Sequence, residues 1–141
     1  MEDRYLFKAK IKENNNTGYK ELDWIIGNLV VEQSTGRHFI IDLSHFDENT
    51  KLCDVMVEVD PSTICQCTAM PDKNSKLIFE NDIVIKHNDD DKEPYLIRWS
   101  ENYAAWELAQ CGCAMYGFFD VDFGEIEVIG NAIDNPELLE V

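Results

Sequence analysis

Short stretches of alternating apolar and polar residues, separated by turn-forming residues, are the feature that most constrains the fold. In "RYLFKAKIK", residues 4–12, the odd-numbered positions from Tyr5 to Ile11 form an apolar face, and three lysines lie on the other. This period of two is that of a strand. Similar stretches recur about every ten residues, and none has a helical stripe long enough for a bundle. The pattern predicts an all-β barrel or sandwich with at most short terminal or connecting helices.

Further elements follow from the same pattern. The stretches predicted as strands are "LDWIIGNLVVEQ", "HFIIDL", "VMVEVDP", "LIFENDIVIKH", "YLIRWS", "NYAAWEL" and "EIEVIGNAI". The first two are joined by "STGR" and predict a hairpin, in which Gly27 marks a bulge or a bend. "YAAWELAQ" is also compatible with the start of a helix. Helical turns are predicted after a cap at Asp60 or Ser62 and at the C-terminal end, where Pro136 suits a first turn.

The length and the apolar content bound the domain organisation. A chain of 141 residues with 45% hydrophobic residues suffices for one folded domain. We expect a single domain over residues 1–141, or two small intertwined β lobes over about residues 1–56 and 57–141. No apolar run reaches 18 residues and no secretory signal follows the start, which predicts a cytoplasmic location. The five cysteines are then expected to be reduced.

The charge balance is strongly acidic, with 28 acidic against 12 basic residues and a net charge of −16. Such a surface repels phosphate backbones and anionic lipids, so we expect no direct binding to nucleic acid and none to membranes. Two interpretations of the charge remain open. It serves solubility, or an acidic face imitates nucleic acid and occupies a basic protein.

Three stretches, taken in order along the chain, carry a family resemblance. They are "VEVDPSTICQCTAMPDKNSKLIFENDIV" from Val57 to Val84, "VIGNAIDNPELLE" from Val128 to Glu140, and an N-terminal strand followed by a Gly-punctuated hairpin. Together they resemble the YopX family of phage and prophage proteins, whereas residues 88–123 match its pattern poorly. The resemblance implies a β-rich fold of SH3-like barrel elements, encoded by a phage or prophage and acting in a bacterial cytoplasm. It implies no known activity.

Three positions depart from the family pattern where that pattern has glycine. They are Ala69, Ser75 and Asn81. Asparagine tolerates a positive φ, whereas alanine does so at a cost, so the turn geometry at Ala69 is open.

The cysteines form two Cys-x-Cys pairs, Cys65 with Cys67 and Cys111 with Cys113. Residues i and i+2 of a regular strand have Cα atoms about 6.6–6.8 Å apart, whereas two thiolates on one zinc ion lie within roughly 4 Å. The first pair also stands where the family pattern has Gly and Tyr. We therefore interpret the cysteines as small buried apolar side chains and expect no cofactor. A four-cysteine zinc site remains the alternative, because Gly112 could bend the second pair.

Histidines and acidic clusters give no coherent catalytic arrangement. His38, His45 and His87 are scattered, and "HNDDDKE" lacks the ligand spacing of a calcium loop. "DVDFGE" is interpreted in the same way, as an exposed acidic stretch. We find no nucleophile with a base beside it, no phosphate-binding loop and no set of metal-ligating residues at a suitable spacing. The sequence therefore predicts a protein that is not an enzyme, with a zinc-dependent small enzyme as the weakest alternative.

Aromatic residues concentrate between positions 95 and 123 and are the richest candidate for a binding surface. Part of this cluster must fill the core. An aromatic patch rimmed by carboxylates suits a basic or proline-rich protein segment. The candidate partner-binding residues are Tyr95, Trp99, Tyr103, Trp106, Tyr116 and Phe118. The expected function is a protein–protein interaction module acting on a host or phage protein or on a second copy of itself, with the acidic nucleic-acid mimic as the alternative.

Overall fold

The computed structural model describes residues 2–12, 23–42 and 47–140. The predicted turn "ENNNTG" and His45 lie outside these residues. The chain divides into two compact units, Met1–Cys67 and Thr68–Val141. Among the described residues no helix exceeds four residues, and the strands pair antiparallel, which confirms the all-β prediction. A single domain over the whole chain stays a prediction.

The first unit is built from antiparallel strands joined by short connections. Its strands are β1 (Leu6–Lys10), β2 (Trp24–Val31), β3 (His38–Ile41), β4 (Met56–Glu58) and the start of β5 (Cys65–Pro71). The order in the sheet is β4-β3-β2-β1, and the start of β5 pairs with β1. The four-residue helix α1 (Leu52–Val55) precedes β4. A 3₁₀ turn (Pro61–Thr63) precedes β5, and the Asp60 side chain caps it by accepting from Ser62 N, as predicted.

The core of the first unit is aliphatic, and its residues come from the apolar face predicted for β1 and from its partners. The buried cluster consists of Ala9, Ile11, Ile25, Ile40, Val57 and Val59. Gly27 is required for a different reason from the one predicted. The β1–β2 register continues regularly through it, but a Cβ atom there would lie 1.9 Å from the carbonyl oxygen of Ile41. Glycine at this position therefore permits the close approach of β3.

The second unit contains the end of β5 and six further strands. They are β6 (Leu77–Phe79), β7 (Asp82–Lys86), β8 (Tyr95–Ser100), β9 (Ala105–Gln110), β10 (Cys113–Gly117) and β11 (Ile126–Asn131). The last five form an antiparallel sheet in the order β10-β9-β8-β7-β11, and β6 lies beside β5. Three 3₁₀ turns complete the unit: Phe118–Asp120, Phe123–Glu125 and Pro136–Leu139. The strand predicted for "NYAAWEL" is confirmed, although it begins only at Ala105, and the alternative that "YAAWELAQ" starts a helix is wrong.

The stretch "LIFENDIVIKH" forms two strands, so its prediction as one is wrong. Asn81 has a φ of 69°, a left-handed conformation that turns the chain between β6 and β7. The buried Asp82 carboxylate holds this turn by accepting from Phe79 N at 2.8 Å. Ala69 and Ser75 also have positive φ, at 68° and 64°. All three positions where the family pattern has glycine therefore adopt the backbone conformation that favours glycine.

The turn between β5 and β6 is organised by the buried carboxylate of Asp72. Its Oδ1 accepts from Asn74 N at 2.8 Å and from Lys76 N at 2.9 Å, and its Oδ2 accepts from Val128 N at 3.0 Å. Burial opposes ionisation of this group, but the three amide donors outweigh it and lower the pKa of Asp72. One side chain therefore fixes a hairpin turn and ties it to β11.

Candidate functional site

A groove of about 550 Å³ on the second unit is lined mainly by aromatic side chains. Its lining comes from the end of β8, from the connection between β8 and β9, from β9 and β10, and from the 3₁₀ turn that follows β10. The residues that give it its chemical character are Tyr103, Trp106, Glu107, Tyr116, Phe118 and Phe119. The groove thus lies within the segment 95–123, where aromatic residues concentrate in the sequence.

The hairpin of β9 and β10 positions these rings. Gln110 faces Cys113 across a two-residue turn, and both turn residues, Cys111 and Gly112, have positive φ, at 52° and 78°. Such a turn matches the twist of the strands that it joins. The register shifts between Ala114 and Tyr116, so Met115 is an extra residue in β10. A bulge of this kind re-aims the side chains next to it.

The groove has an inner wall of half-buried rings. Trp106, Tyr116 and Phe118 pack against the buried core cluster of the second unit. Each makes an edge-to-face contact with another ring: Trp106 with Trp99 at 5.2 Å, Tyr116 with Tyr95 at 5.8 Å, and Phe118 with Phe123 at 5.0 Å. Such contacts hold rings in fixed orientations. Packing against the core and against neighbouring rings therefore holds the inner wall in place without a ligand.

Two rings of the lining project into solvent. Phe119 is 99% exposed and Tyr103 is 82% exposed. Met115, also on the lining, is exposed as well. An apolar ring with almost its full surface in water adds no burial energy to the fold. These two rings are thus available for contact with a ligand.

Two pairs of charged side chains lie next to the rings. Glu107 is only 7% exposed, and its Oε1 accepts from Arg98 Nε at 2.8 Å; Arg98 also donates to the carbonyl oxygen of Gly112 at 3.1 Å. Lys86 Nζ lies 3.8 Å from the centre of the Tyr116 ring and 3.2 Å from Asp89. The groove lining thus contains a carboxylate, Glu107, that is paired with Arg98. It also contains an aromatic ring, Tyr116, that already binds the ammonium group of Lys86.

A hydrogen bond joins the buried Tyr95 to the half-buried Asp89. The Tyr95 hydroxyl donates to Asp89 Oδ2 at 2.8 Å. Burial, followed by this hydrogen bond, raises the pKa of Tyr95. The same hydrogen bond, helped by Lys86, lowers the pKa of Asp89. Both shifts keep the phenol protonated and the carboxylate charged at neutral pH.

The structure distributes the six candidate residues over three environments. Tyr103, Trp106, Tyr116 and Phe118 line the groove together. Tyr95 belongs to the buried core cluster, and Trp99, 45% exposed, stands beside Trp106 without lining the groove. Phe119 belongs to the aromatic cluster between positions 95 and 123 but is not among the six candidates, and Met115 and Glu107 lie outside that cluster. "MYGFFD" has no alternation from which exposure could be derived, so no local signal separates Phe119 from Phe118.

The two cysteine pairs have different environments. Cys65 and Cys67 are buried, and the Cys65 thiol donates to the carbonyl oxygen of Thr63 at 3.3 Å. The interpretation as buried apolar side chains is confirmed for this pair. It is wrong for Cys111 and Cys113, which are exposed at the turn between β9 and β10. Within residues 2–12, 23–42 and 47–140, no group of three or more His, Cys, Asp or Glu side chains could hold a metal ion.

The remaining acidic and histidine candidates lie on connections and strands. "HNDDDKE" spans the connection between β7 and β8, and Asp89, Asp90, Asp91 and Glu93 line a shallow depression of about 460 Å³ there. His87 lies next to Glu127, with 2.5 Å between Nε2 and Oε2. His38 lies in β3 of the first unit. None of the described histidines lines the aromatic groove.

The fold and the groove define a small all-β protein with an exposed aromatic surface on an acidic unit. The sequence profile of the YopX protein family matches residues 6–140, and the chain belongs to this family. Membership suggests a phage-type protein and assigns it neither a partner nor a reaction. A comparison with curated proteins gives no match. None of the helices in the described part of the chain is long and apolar enough to cross a membrane.

Proposed function

We propose that the protein is a non-enzymatic protein-binding module, encoded by a phage or prophage, that binds a host or phage protein in the bacterial cytoplasm through the aromatic groove. The observation that carries this proposal is the exposure of Phe119 and Tyr103 beside a groove whose inner wall is held by the core. Exposed aromatic rings next to a preformed concave surface are typical of interaction sites.

The lining of the groove supports binding over catalysis. Glu107 is the one charged residue among the described lining residues, and it is paired with Arg98. The other lining side chains are aromatic, small or apolar, apart from the hydroxyl of Ser100. Such a surface offers contact area and shape, whereas acid–base catalysis needs a titratable group in reach of a reacting atom.

Capture from bacterial lysate tests the proposal when it is made dependent on the groove. The tagged protein is compared with a Tyr103→Ser/Phe119→Ser double variant and with Tyr5→Ser as a matched control. Tyr5 is an exposed aromatic residue of the first unit, 58% exposed. Because all three side chains are exposed, we expect each variant to fold with a stability within about 0.5 kcal/mol of the parent.

The expected result is a protein that the parent and the Tyr5→Ser control retain and that the double variant loses. Mass spectrometry identifies what is retained, after nuclease treatment of the lysate. Equal retention by all three proteins would show that the groove is not the binding surface. If only the bait is recovered, size-exclusion chromatography decides whether a second copy of the chain occupies the groove.

A second candidate function is supported by the distribution of charge. The second unit, residues 68–141, carries 16 acidic and 5 basic residues, a net charge of −11, whereas the first, residues 1–67, carries 12 and 7, a net charge of −5. The depression lined by Asp89, Asp90, Asp91 and Glu93 concentrates this charge. An acidic surface of this kind would occupy the nucleic-acid site of a basic protein.

Salt dependence separates the two functions. A mimic's partner should be released steeply as salt rises and should be displaced by duplex DNA. Asp90→Asn/Asp91→Asn should weaken that interaction, whereas Tyr103→Ser/Phe119→Ser should leave it unchanged. Retention that survives high salt and depends on the two rings would instead favour the aromatic groove.

A further inference from the structure

We propose that the aromatic groove is a receptor for a cationic side chain, a lysine or arginine presented by an exposed segment of the partner protein. This inference rests on the proposed function and names the chemistry that the groove recognises. The cation would lie among the rings of Tyr103, Trp106, Phe118 and Phe119, near Glu107. Proline-rich and purely apolar segments then become weaker ligands.

The first argument is the composition of the lining. The face of an aromatic ring attracts a cation within about 6 Å of its centre, and tryptophan does so most strongly. The groove brings Trp106 together with Phe118, Phe119 and Tyr103. Aliphatic side chains would bind a purely apolar ligand equally well. The buried cores of both units consist mainly of such side chains, whereas the groove is lined mainly by rings.

The second argument is that the protein's own cations lie over several of its other aromatic rings. In the first unit Lys8 Nζ lies 4.9 Å from the ring of Trp24, and the Arg37 guanidinium lies 5.0 Å from the ring of Phe39. In the second unit Lys86 covers Tyr116 at 3.8 Å. Tyr103 and Phe119 are instead 82% and 99% exposed. A cation from a partner would give these rings the same kind of contact.

The third argument is charge complementarity. Arg98 compensates the carboxylate of Glu107, but it occupies one of about four acceptor positions on that group. Glu101 and Asp120, both exposed, directly follow the lining residues Ser100 and Phe119 in the chain. With the net charge of −11 on this unit, their field raises the local concentration of cations at the groove.

Three peptides of identical length test the inference. One carries a single lysine between glycine and alanine residues with blocked ends, the second carries norleucine instead, and the third carries trimethyl-lysine. Norleucine keeps the methylene stem and removes the ammonium group, whereas trimethyl-lysine keeps the charge and removes the N–H donors. Titration of the full chain, followed by amide chemical shifts in ¹⁵N–¹H NMR spectra, gives the three dissociation constants and the location of binding.

We expect the lysine peptide to bind at least about 5-fold more tightly than the norleucine peptide. Its shifts should concentrate in residues 103–107 and 114–119. Trimethyl-lysine should bind as well as lysine, because ring–cation attraction needs no N–H donor. Equal binding of the norleucine peptide would overturn the inference, as would absence of groove shifts for the lysine peptide at about 5 mM. Neither result would contradict groove-dependent capture of a protein from lysate. The peptide titration therefore tests the cation inference, and the capture experiment tests the proposed function independently of it.

A conservative double variant separates ring–cation attraction from simple apolar contact. Tyr103→Leu/Phe119→Leu keeps apolar bulk and removes two aromatic faces. Affinity for the lysine peptide should fall about 5- to 30-fold while affinity for the norleucine peptide stays constant. Asp120→Asn should lower the affinity for the lysine and trimethyl-lysine peptides by the same factor. This loss of affinity should be smaller at high salt. An equal loss for all three peptides in the leucine variant would show that the rings act only through their area.

Discussion

The two units differ in how their backbones turn. The described non-glycine residues with positive φ all lie in the second unit: Ala69, Ser75, Asn81, Lys92, Ala104 and Cys111. In the described part of the first unit, the residue with positive φ is Gly36. A left-handed conformation costs an L-residue about 1–2 kcal/mol. The second unit therefore retains backbone strain that the first avoids.

The two units also differ in the aromatic content of their cores. The buried cluster of the first unit is entirely aliphatic, whereas that of the second contains Tyr95 and is surrounded by further rings. Two rings of the second unit, Tyr103 and Phe119, remain at the surface. Departures from local preference that persist in a fold are expected where function requires them. The comparison thus supports the second unit as the site of function.

The largest effect is expected from two aspartates that each hold a turn, one in each unit. Asp72→Ala removes three accepted amide hydrogen bonds inside the second unit and should destabilise the protein by about 3 kcal/mol or more. Asp60→Ala removes the exposed cap of the 3₁₀ turn in the first unit and should cost about 1 kcal/mol. Urea denaturation of both variants measures their free energies of unfolding. Equal losses of stability would contradict the expectation that the buried Asp72 stabilises the protein more than the exposed Asp60.

The Asp72 contribution should also depend on pH. Its pKa in the folded protein is lowered below the value of about 3.9 in the unfolded chain. The contribution is therefore complete above that unfolded value and is lost as pH falls through the lower folded pKa. The stability gap between the parent and Asp72→Asn should shrink between pH 5 and pH 3. A constant gap over that range would show that the carboxylate charge is not what stabilises the turn.

A smaller effect is expected from exchanging alanine and glycine at two left-handed positions. Ala69→Gly should stabilise the second unit by about 1 kcal/mol, because glycine adopts a φ of 68° without steric cost. Gly36→Ala should destabilise the first unit by a similar amount, and since no atom lies within 4 Å of the added Cβ, the loss reflects the backbone alone. Urea denaturation gives both values. No gain from Ala69→Gly, alongside a loss from Gly36→Ala, would mean that contacts of the Ala69 methyl group offset its strain.

The smallest effect concerns the ring pair behind the groove. Trp99 and Trp106 face each other across β8 and β9 and meet edge to face at 5.2 Å. A double-mutant cycle with Trp99→Leu and Trp106→Leu should give a coupling of about 0.5–1.5 kcal/mol. Trp106→Leu alone should also weaken ligand binding more than Trp99→Leu, because Trp106 lines the groove. Additive stability effects would show that the contact does not hold Trp106 in place.

Most strands could be predicted because their signal is local. The odd-numbered apolar positions of β1 include Ala9 and continue to Ile11 in the bridge after it, and both residues are buried. The hairpin of β2 and β3 was likewise predicted, as were the strands β8 and β9. The break between β6 and β7 was missed, because "LIFENDIVIKH" keeps strand-forming residues on both sides of Asn81. Its turn depends on Asp82 reaching Phe79 N, a contact that composition does not reveal.

The candidate site could be predicted only in part. The density of aromatic residues located the correct segment, and four of the six selected residues line one groove. Tyr95 and Trp106 have similar local patterns, yet one is enclosed by the core and the other forms a wall of the groove. Glu107 was not selected because its burial results from the pairing of β8 with β9, which places it beside Arg98.

The sequence by itself determined the all-β class, the acidic charge and the family, because alternation, composition and ordered motifs are properties of the chain. Only the tertiary structure decided which aromatic rings are available to a partner. Phe118 and Phe119 are adjacent and identical, yet Phe118 packs against the core and Phe119 is 99% exposed. Burial depends on which distant residues pack against a side chain, and that is settled when the strands assemble.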